Sequence, residues 1–176
     1  LVPMPNTLKG SEYIYNHPEK RAEDLMAAVA DPSIKGIFTC IGGDDSIRLL
    51  PYIDFDVIRR NPKVFLGYSD TTVTHFMCMK AGLSSMYGPS ILAEFAENGE
   101  IFETGKIGNV PPSEYWTGEL IEWTEENKDK KKKLEKHTGY EVLQGSVPAR
   151  GRLIGGCIEV IEMLKGTSLW DASDFD

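Results

Sequence analysis

Residues 64–70 read Val-Phe-Leu-Gly-Tyr-Ser-Asp and decide the fold, because an apolar, β-prone run leads directly into a turn. The next four residues, Thr-Thr-Val-Thr, open a predicted helix that ends near Lys80. A serine on a sharp strand-to-helix turn presents its hydroxyl beside helix-terminal N–H groups, which stabilise an oxyanion. Ser69 is therefore a candidate nucleophile. Helix capping is the alternative role, and the elbow pattern is incomplete because Thr71 replaces its second glycine.

Strands and helices are predicted to alternate on both sides of this turn. Pro18 opens a helix whose apolar positions recur at the spacing of one buried face, and Asp31-Pro32 ends it. Residues 36–41 and 63–66 are predicted as buried strands, with a short helix between them and a further strand near residues 84–87. This βαβαβ order predicts an α/β fold, a flavodoxin-like parallel sheet flanked by helices.

The alternation of strands and helices stops after Pro89, which divides the chain into three predicted regions. Residues 1–92 form the predicted α/β domain that carries Ser69, residues 93–146 a linker and substrate-loop region, and residues 147–176 the start of a smaller β-rich C-terminal domain. Strands are predicted at 140–144 and 150–154, and a helix after Gly155-Gly156. The basic run at 128–133 is expected to be an exposed turn.

Composition narrows the functional classes. The formal net charge of −8 over 176 residues argues against a protein that tracks nucleic-acid phosphates, but not against a small nucleotide-like ligand. The sequence contains no apolar run of about 18 residues, so no membrane span is predicted. Three dispersed cysteines predict buried free thiols in a cytoplasmic protein, and neither they nor the three histidines have metal-ligand spacing. No metal or organic cofactor is therefore indicated.

Two glycines join Ser69 in the predicted site. Gly42 and Gly43 follow the strand at 36–41, and Ser69 follows the strand at 63–66. Ligands bind outside the C-terminal ends of parallel strands, so both turns should face one site.

Six segments follow one another along the chain: Arg21-Ala-Glu-Asp-Leu-Met, Ile41-Gly-Gly-Asp-Asp-Ser, Leu50-Pro-Tyr-Ile-Asp, Gly67-Tyr-Ser-Asp-Thr-Thr, Tyr87-Gly-Pro and Gly151-Arg-Leu-Ile-Gly-Gly. Together they resemble the LD-carboxypeptidase family of serine peptidases, and most closely its microcin C self-immunity branch.

The resemblance implies roles for individual residues. Ser69 matches the nucleophile, and the N–H groups of Asp70 and of Gly42 or Gly43 match the oxyanion hole. Trp123 matches the tryptophan that stacks on the nucleobase of peptidyl-adenylate substrates, although a packing role in a small domain is its alternative. The implied substrate is a muropeptide or a peptidyl-nucleotide, and the implied assembly is a homodimer.

The same resemblance implies a Ser-Glu-His triad whose Glu and His lie beyond Asp176, so the chain is expected to be a fragment of a larger enzyme. His75 lies six residues after Ser69, about 240° around the helix, and is expected to point away from it. A serine without a positioned base is a weak nucleophile. The rival hypothesis is therefore a non-catalytic α/β module that binds a nucleotide or peptide. A structural interaction protein is a third reading, supported only by the acidic surface.

Overall fold

A computed structural model describes residues 1–91, 112–122, 124–145 and 150–170. These residues form two compact units. The first combines the described residues up to 91 with those from Arg152 onward, and the second lies within Ile101–Gly151.

The first unit is built on a three-stranded parallel sheet in the order β1-β2-β3. The strands are β1 (Gly36–Phe38), β2 (Val64–Gly67) and β3 (Met86–Tyr87). Phe38 pairs with Leu66, and Gly67 pairs with Tyr87. The C-terminal ends of the three strands therefore meet at one edge, where β2 continues into the Ser69 turn.

Five α-helices lie in the described residues of this unit. They are α1 (Ser11–Asn16), α2 (Pro18–Ala30), α3 (Phe55–Arg60), α4 (Thr72–Lys80) and α5 (Ile158–Met163). Short 3-10 helices cover Ser46–Tyr52 and Ser69–Thr71. The predicted α/β fold with helices flanking a parallel sheet is confirmed.

The core of the first unit forms around α4. Val73 and Met77 on this helix are fully buried and pack with Ala22 of α2 and with Leu164. Leu164 follows α5, so residues far apart in the sequence close the same core. Burial of apolar surface is the main force that holds such elements together.

The second unit contains a small antiparallel ladder between β4 (Tyr115–Trp116) and β5 (Glu135–Lys136). A 3-10 helix, Glu125–Asn127, lies between these strands. The basic run at 128–133 is exposed, as predicted.

Three predictions about strands were wrong. Residues 140–144 and 150–154 form no strand, and β1 ends three residues early. The apolar side chains of both failed segments stay exposed, with Leu143 88% and Leu153 99% accessible. The prediction of buried free thiols is confirmed for Cys78 but wrong for Cys40, which is exposed, and Cys157 is half-buried. Burial raises the pKa of the Cys78 thiol to about 11, which makes it an inert packing group.

Within the described ranges, no helix has the length and apolarity needed to cross a bilayer.

Candidate active site

Ser69 lies on a strained turn between β2 and α4. Tyr68 is fully extended, and Ser69 then adopts a φ of +62° before the 3-10 turn leads into α4. Among the described residues, Ser69 is the one non-glycine residue with a positive φ. For a residue with a Cβ this left-handed conformation costs about 1–2 kcal/mol, so surrounding contacts have to hold it in place.

Side-chain hydroxyls bind the peptide groups on both sides of the Ser69 Cα. The Ser69 N–H donates to the hydroxyl oxygen of Tyr87 at 2.9 Å. The Thr72 hydroxyl donates to the Ser69 carbonyl at 2.6 Å and accepts from the Cys157 N–H at 3.0 Å. These bonds stabilise the strained turn from β3, from α4 and from the segment that precedes α5.

Gly42 passes directly against the candidate nucleophile. A Cβ placed on Gly42 would lie 2.9 Å from both Cβ and Oγ of Ser69, and 3.5 Å from the Asp70 backbone nitrogen. The serine hydroxyl and the Asp70 amide nitrogen therefore both lie next to the Gly42 backbone. Only glycine permits so close an approach.

The Asp70 side chain anchors the 42–46 turn. Its buried carboxylate accepts from the Asp45 N–H at 3.2 Å, and from the N–H and hydroxyl of Ser46 at 2.9 and 2.5 Å, all through one oxygen. A Cβ on Gly43 would lie 3.3 Å from that oxygen. The structure thus brings together four residues predicted from the sequence: Ser69, Asp70, Gly42 and Gly43.

Arg21 connects this turn to α2. Its guanidinium donates to Asp45 at 2.5 Å and to the Ser46 hydroxyl at 3.3 Å. Both side chains of the ion pair are mostly buried, which strengthens the pairing relative to a surface salt bridge. The turn is therefore fixed by α2 on one side and by the Ser69–Asp70 turn on the other.

His75 is a structural residue rather than a base for Ser69. Its Nε2 lies 2.9 Å from the Gly67 carbonyl oxygen, and its Nδ1 lies 2.7 Å from the Ser85 hydroxyl. A carbonyl only accepts, so Nε2 carries the proton and Nδ1 accepts from Ser85. Burial lowers the pKa of His75, which keeps the ring neutral.

The other two histidines are engaged elsewhere in the described part of the chain. His17 contacts Glu19 at 3.0 Å, and the His137 Nδ1 accepts from the Gly139 N–H at 2.9 Å. None of these contacts joins a histidine to Ser69, which agrees with the expectation that His75 points away from it.

A cavity of about 750 Å³ borders the site. Its lining is mainly apolar and includes Gly42 and Gly43 of the turn, together with Arg21 and Asp45. Ser69 does not line it. Within the described ranges, no three His, Cys, Asp or Glu side chains gather in a way that would hold a metal ion.

Sequence reasoning missed three residues that shape the site: Tyr87, Thr72 and Ser46. Tyr87 was visible in the Tyr-Gly-Pro segment, but its role depends on the β2-β3 register, which places it opposite Gly67. Trp123, the predicted nucleobase-stacking residue, lies outside the described residues.

Comparison with known proteins identifies the family of the chain. Residues 1–88 match the family model of the LD-carboxypeptidase N-terminal domain, Peptidase_S66. The microcin C7 self-immunity protein MccF of Escherichia coli is 33% identical over 166 residues, which cover 86% of this chain and 46% of MccF.

Two solved structures show the same fold. An MccF-like protein from Streptococcus pneumoniae in complex with AMP has a TM-score of 0.78 at 36% identity, covering 98% of this chain and 55% of that one. Microcin C7 self-immunity protein MccF in complex with aspartyl sulfamoyl adenosine has a TM-score of 0.70 at 32% identity, covering 86% and 49%. The chain spans about half the length of these relatives. With a family model matching half of its residues, the chain belongs to the LD-carboxypeptidase (S66) family of peptidases.

Proposed function

We propose that the protein hydrolyses an amide bond next to a carboxylate or carboxylate-like group, through an acyl-enzyme formed on Ser69. The observation that carries the proposal is the convergence at this turn. A serine with φ +62° presents its side chain against the Gly42 backbone, with the Asp70 amide nitrogen beside it.

The chemistry follows from that geometry. The Ser69 hydroxyl attacks the carbonyl carbon, and the carbonyl oxygen becomes an oxyanion. The N–H of Asp70, with one from Gly42 or Gly43, donates to this oxyanion, and one such donor is worth on the order of 3 kcal/mol. The amine then leaves, and water hydrolyses the ester on Ser69.

The proposal takes the general base from outside residues 1–176. All three histidines of the chain lie in the described residues, and each is bonded to a partner other than Ser69. A Glu-His pair of the kind that the family resemblance implies would remove the Ser69 proton and return it to the leaving amine.

A peptidyl-nucleotide is the preferred substrate, with a muropeptide as the alternative. The ligands named for the two solved relatives, AMP and aspartyl sulfamoyl adenosine, support the nucleotide class. Trp123 would stack on the base in that case, a contact worth about 1–3 kcal/mol.

A fluorophosphonate serine probe tests the nucleophile. We expect the intact protein to be labelled on the peptide that contains Ser69, as identified by mass spectrometry, and the Ser69→Ala variant to be unlabelled. Ser85→Ala is the matched control, because Ser85 also contacts a histidine, and the peptide that contains Ser69 should still be labelled in this variant.

Two outcomes would contradict the proposal. Labelling of Ser85 in place of Ser69 would identify Ser85, which contacts His75, as the nucleophile. A protein that resists labelling but binds AMP would be the non-catalytic nucleotide-binding module.

A further inference from the structure

We propose that the Tyr87 hydroxyl is a positioning group for the nucleophile, a role that rests on the proposed function of Ser69. Its hydroxyl oxygen accepts the Ser69 N–H at 2.9 Å and so holds the peptide group that enters the strained residue. Ser69 needs such support because its φ of +62° is unfavourable for a side chain with a Cβ.

Tyr87 and Thr72 act on the same turn. The Tyr87 hydroxyl lies 3.4 Å from the Thr72 hydroxyl, which in turn donates to the Ser69 carbonyl. The Ser69 N–H and C=O are therefore tied into one chain of hydroxyl groups. Rotation of either peptide group would break a hydrogen bond and displace the serine Oγ.

The bond to Tyr87 also determines which amides remain for the oxyanion. Because the Ser69 N–H is donated to the phenol, it is directed away from a reacting carbonyl. The Asp70 nitrogen lies instead on the Gly42 side, where the serine hydroxyl is. This agrees with an oxyanion hole that uses the residue after the nucleophile.

The His75 ring packs against the Tyr87 ring and helps to set its position. The two ring centroids are 5.2 Å apart. The Gly67 carbonyl accepts both from His75 Nε2 at 2.9 Å and from the Gly88 N–H at 3.0 Å, so α4, β2 and β3 are joined at this point. These hydrogen bonds fix the end of β3 and therefore the Tyr87 side chain, so the phenol does not shift when Ser69 moves.

Packing of the Tyr87 ring does not require its hydroxyl to bond to the Ser69 turn. Tyr87 is 47% exposed, and its hydroxyl could be hydrated without bonding to the turn. Loss of that hydroxyl should therefore leave the fold intact and act on the nucleophile alone.

The test compares Tyr87→Phe with Tyr52→Phe, a control that removes a phenol from another half-exposed tyrosine. A lost hydrogen bond of about 1 kcal/mol corresponds to a rate change of roughly fivefold to tenfold. In Tyr87→Phe, we expect kinact for fluorophosphonate labelling to fall by that factor, with KI and the melting temperature unchanged. Hydrogen exchange of the Ser69 amide should become faster in the same variant.

Separate outcomes judge the two proposals. In one outcome, the wild type is labelled while kinact and Ser69 amide exchange are the same in Tyr87→Phe as in wild type. That result overturns the positioning role of Tyr87 and leaves the proposed function standing. An unlabelled wild type refutes the proposed function and, with it, the catalytic meaning of the Tyr87 bond. The amide exchange still shows in that case whether the hydrogen bond exists.

Discussion

At the scale of single residues, the site depends on how closely the Gly42 backbone approaches Ser69. The space for a Cβ on Gly42 is already occupied by the Ser69 side chain, with 2.9 Å to its Cβ and Oγ. Real Cβ atoms do not tolerate such a contact, so either the glycine turn or Ser69 has to move when a methyl group is added.

Gly42→Ala should therefore damage the chemistry more than the fold. A displacement of about 1 Å at a reacting atom lowers rates by about a hundredfold. We expect that loss in the fluorophosphonate labelling rate, with a melting temperature close to that of wild type.

Gly151→Ala is the control for Gly42→Ala, because a Cβ at Gly151 meets no atom within 4 Å. Wild-type labelling in Gly42→Ala would show that the glycine turn does not form part of the site.

At the scale of elements, His75 joins α4 to the end of β2 and to Ser85 before β3. The ring is buried and neutral, and burial lowers its pKa from the ordinary value of 6.5. The unfolded chain therefore binds a proton more readily than the folded chain below pH 6.5. The stabilisation by His75 is complete above pH 6.5 and is lost as the pH falls below it.

His75→Gln should be less stable than wild type at pH 7.5, and the difference in unfolding free energy should narrow at pH 5.5. Urea unfolding followed by circular dichroism at both pH values measures this difference. Leu164→Ala, which removes no titratable group, should show no such narrowing. A difference that stays constant or widens at pH 5.5 would contradict the buried neutral state of His75.

At the scale of the whole molecule, the first unit is completed by residues that come after the second unit in the sequence. Val160, Leu164 and Leu169 are at most 5% exposed and belong to the same apolar cluster as Val73 and Met77 of α4. The Cys157 N–H also donates to the Thr72 hydroxyl, so the segment around α5 supports the Ser69 turn as well as the core.

Leu164→Ala should destabilise the first unit by about 2–5 kcal/mol, because it removes a fully buried side chain and leaves a cavity. Circular dichroism in urea reports on this unit, since α1 to α5 all belong to it. Leu153→Ala is the control, because Leu153 is 99% exposed and its truncation should change stability little. Equal stability of the two variants would show that α5 is not part of the core.

The sequence by itself determined the alternation of β1, β2 and β3 with helices and the position of the serine turn. Apolar runs bounded by turn residues predicted β1 and β2, and helical spacing of apolar residues predicted α2, because these signals are local. The helices α1 and α3 and the ladder of β4 with β5 were not predicted. The failed strands at 140–144 and 150–154 show the limit of local signals, since a segment forms a strand only where a partner strand is available.

Only the tertiary structure decided what surrounds the serine. The roles of Tyr87, Thr72 and Asp70 depend on the register between β2 and β3 and on contacts across 15 to 85 residues of sequence. Hydrogen bonds between distant residues leave no periodic pattern in the sequence, because they are set by how the sheet, α4 and the segment before α5 pack. Ser69 could thus be proposed as a nucleophile from local residues and the family resemblance, whereas the groups that hold it in its strained conformation could not be predicted.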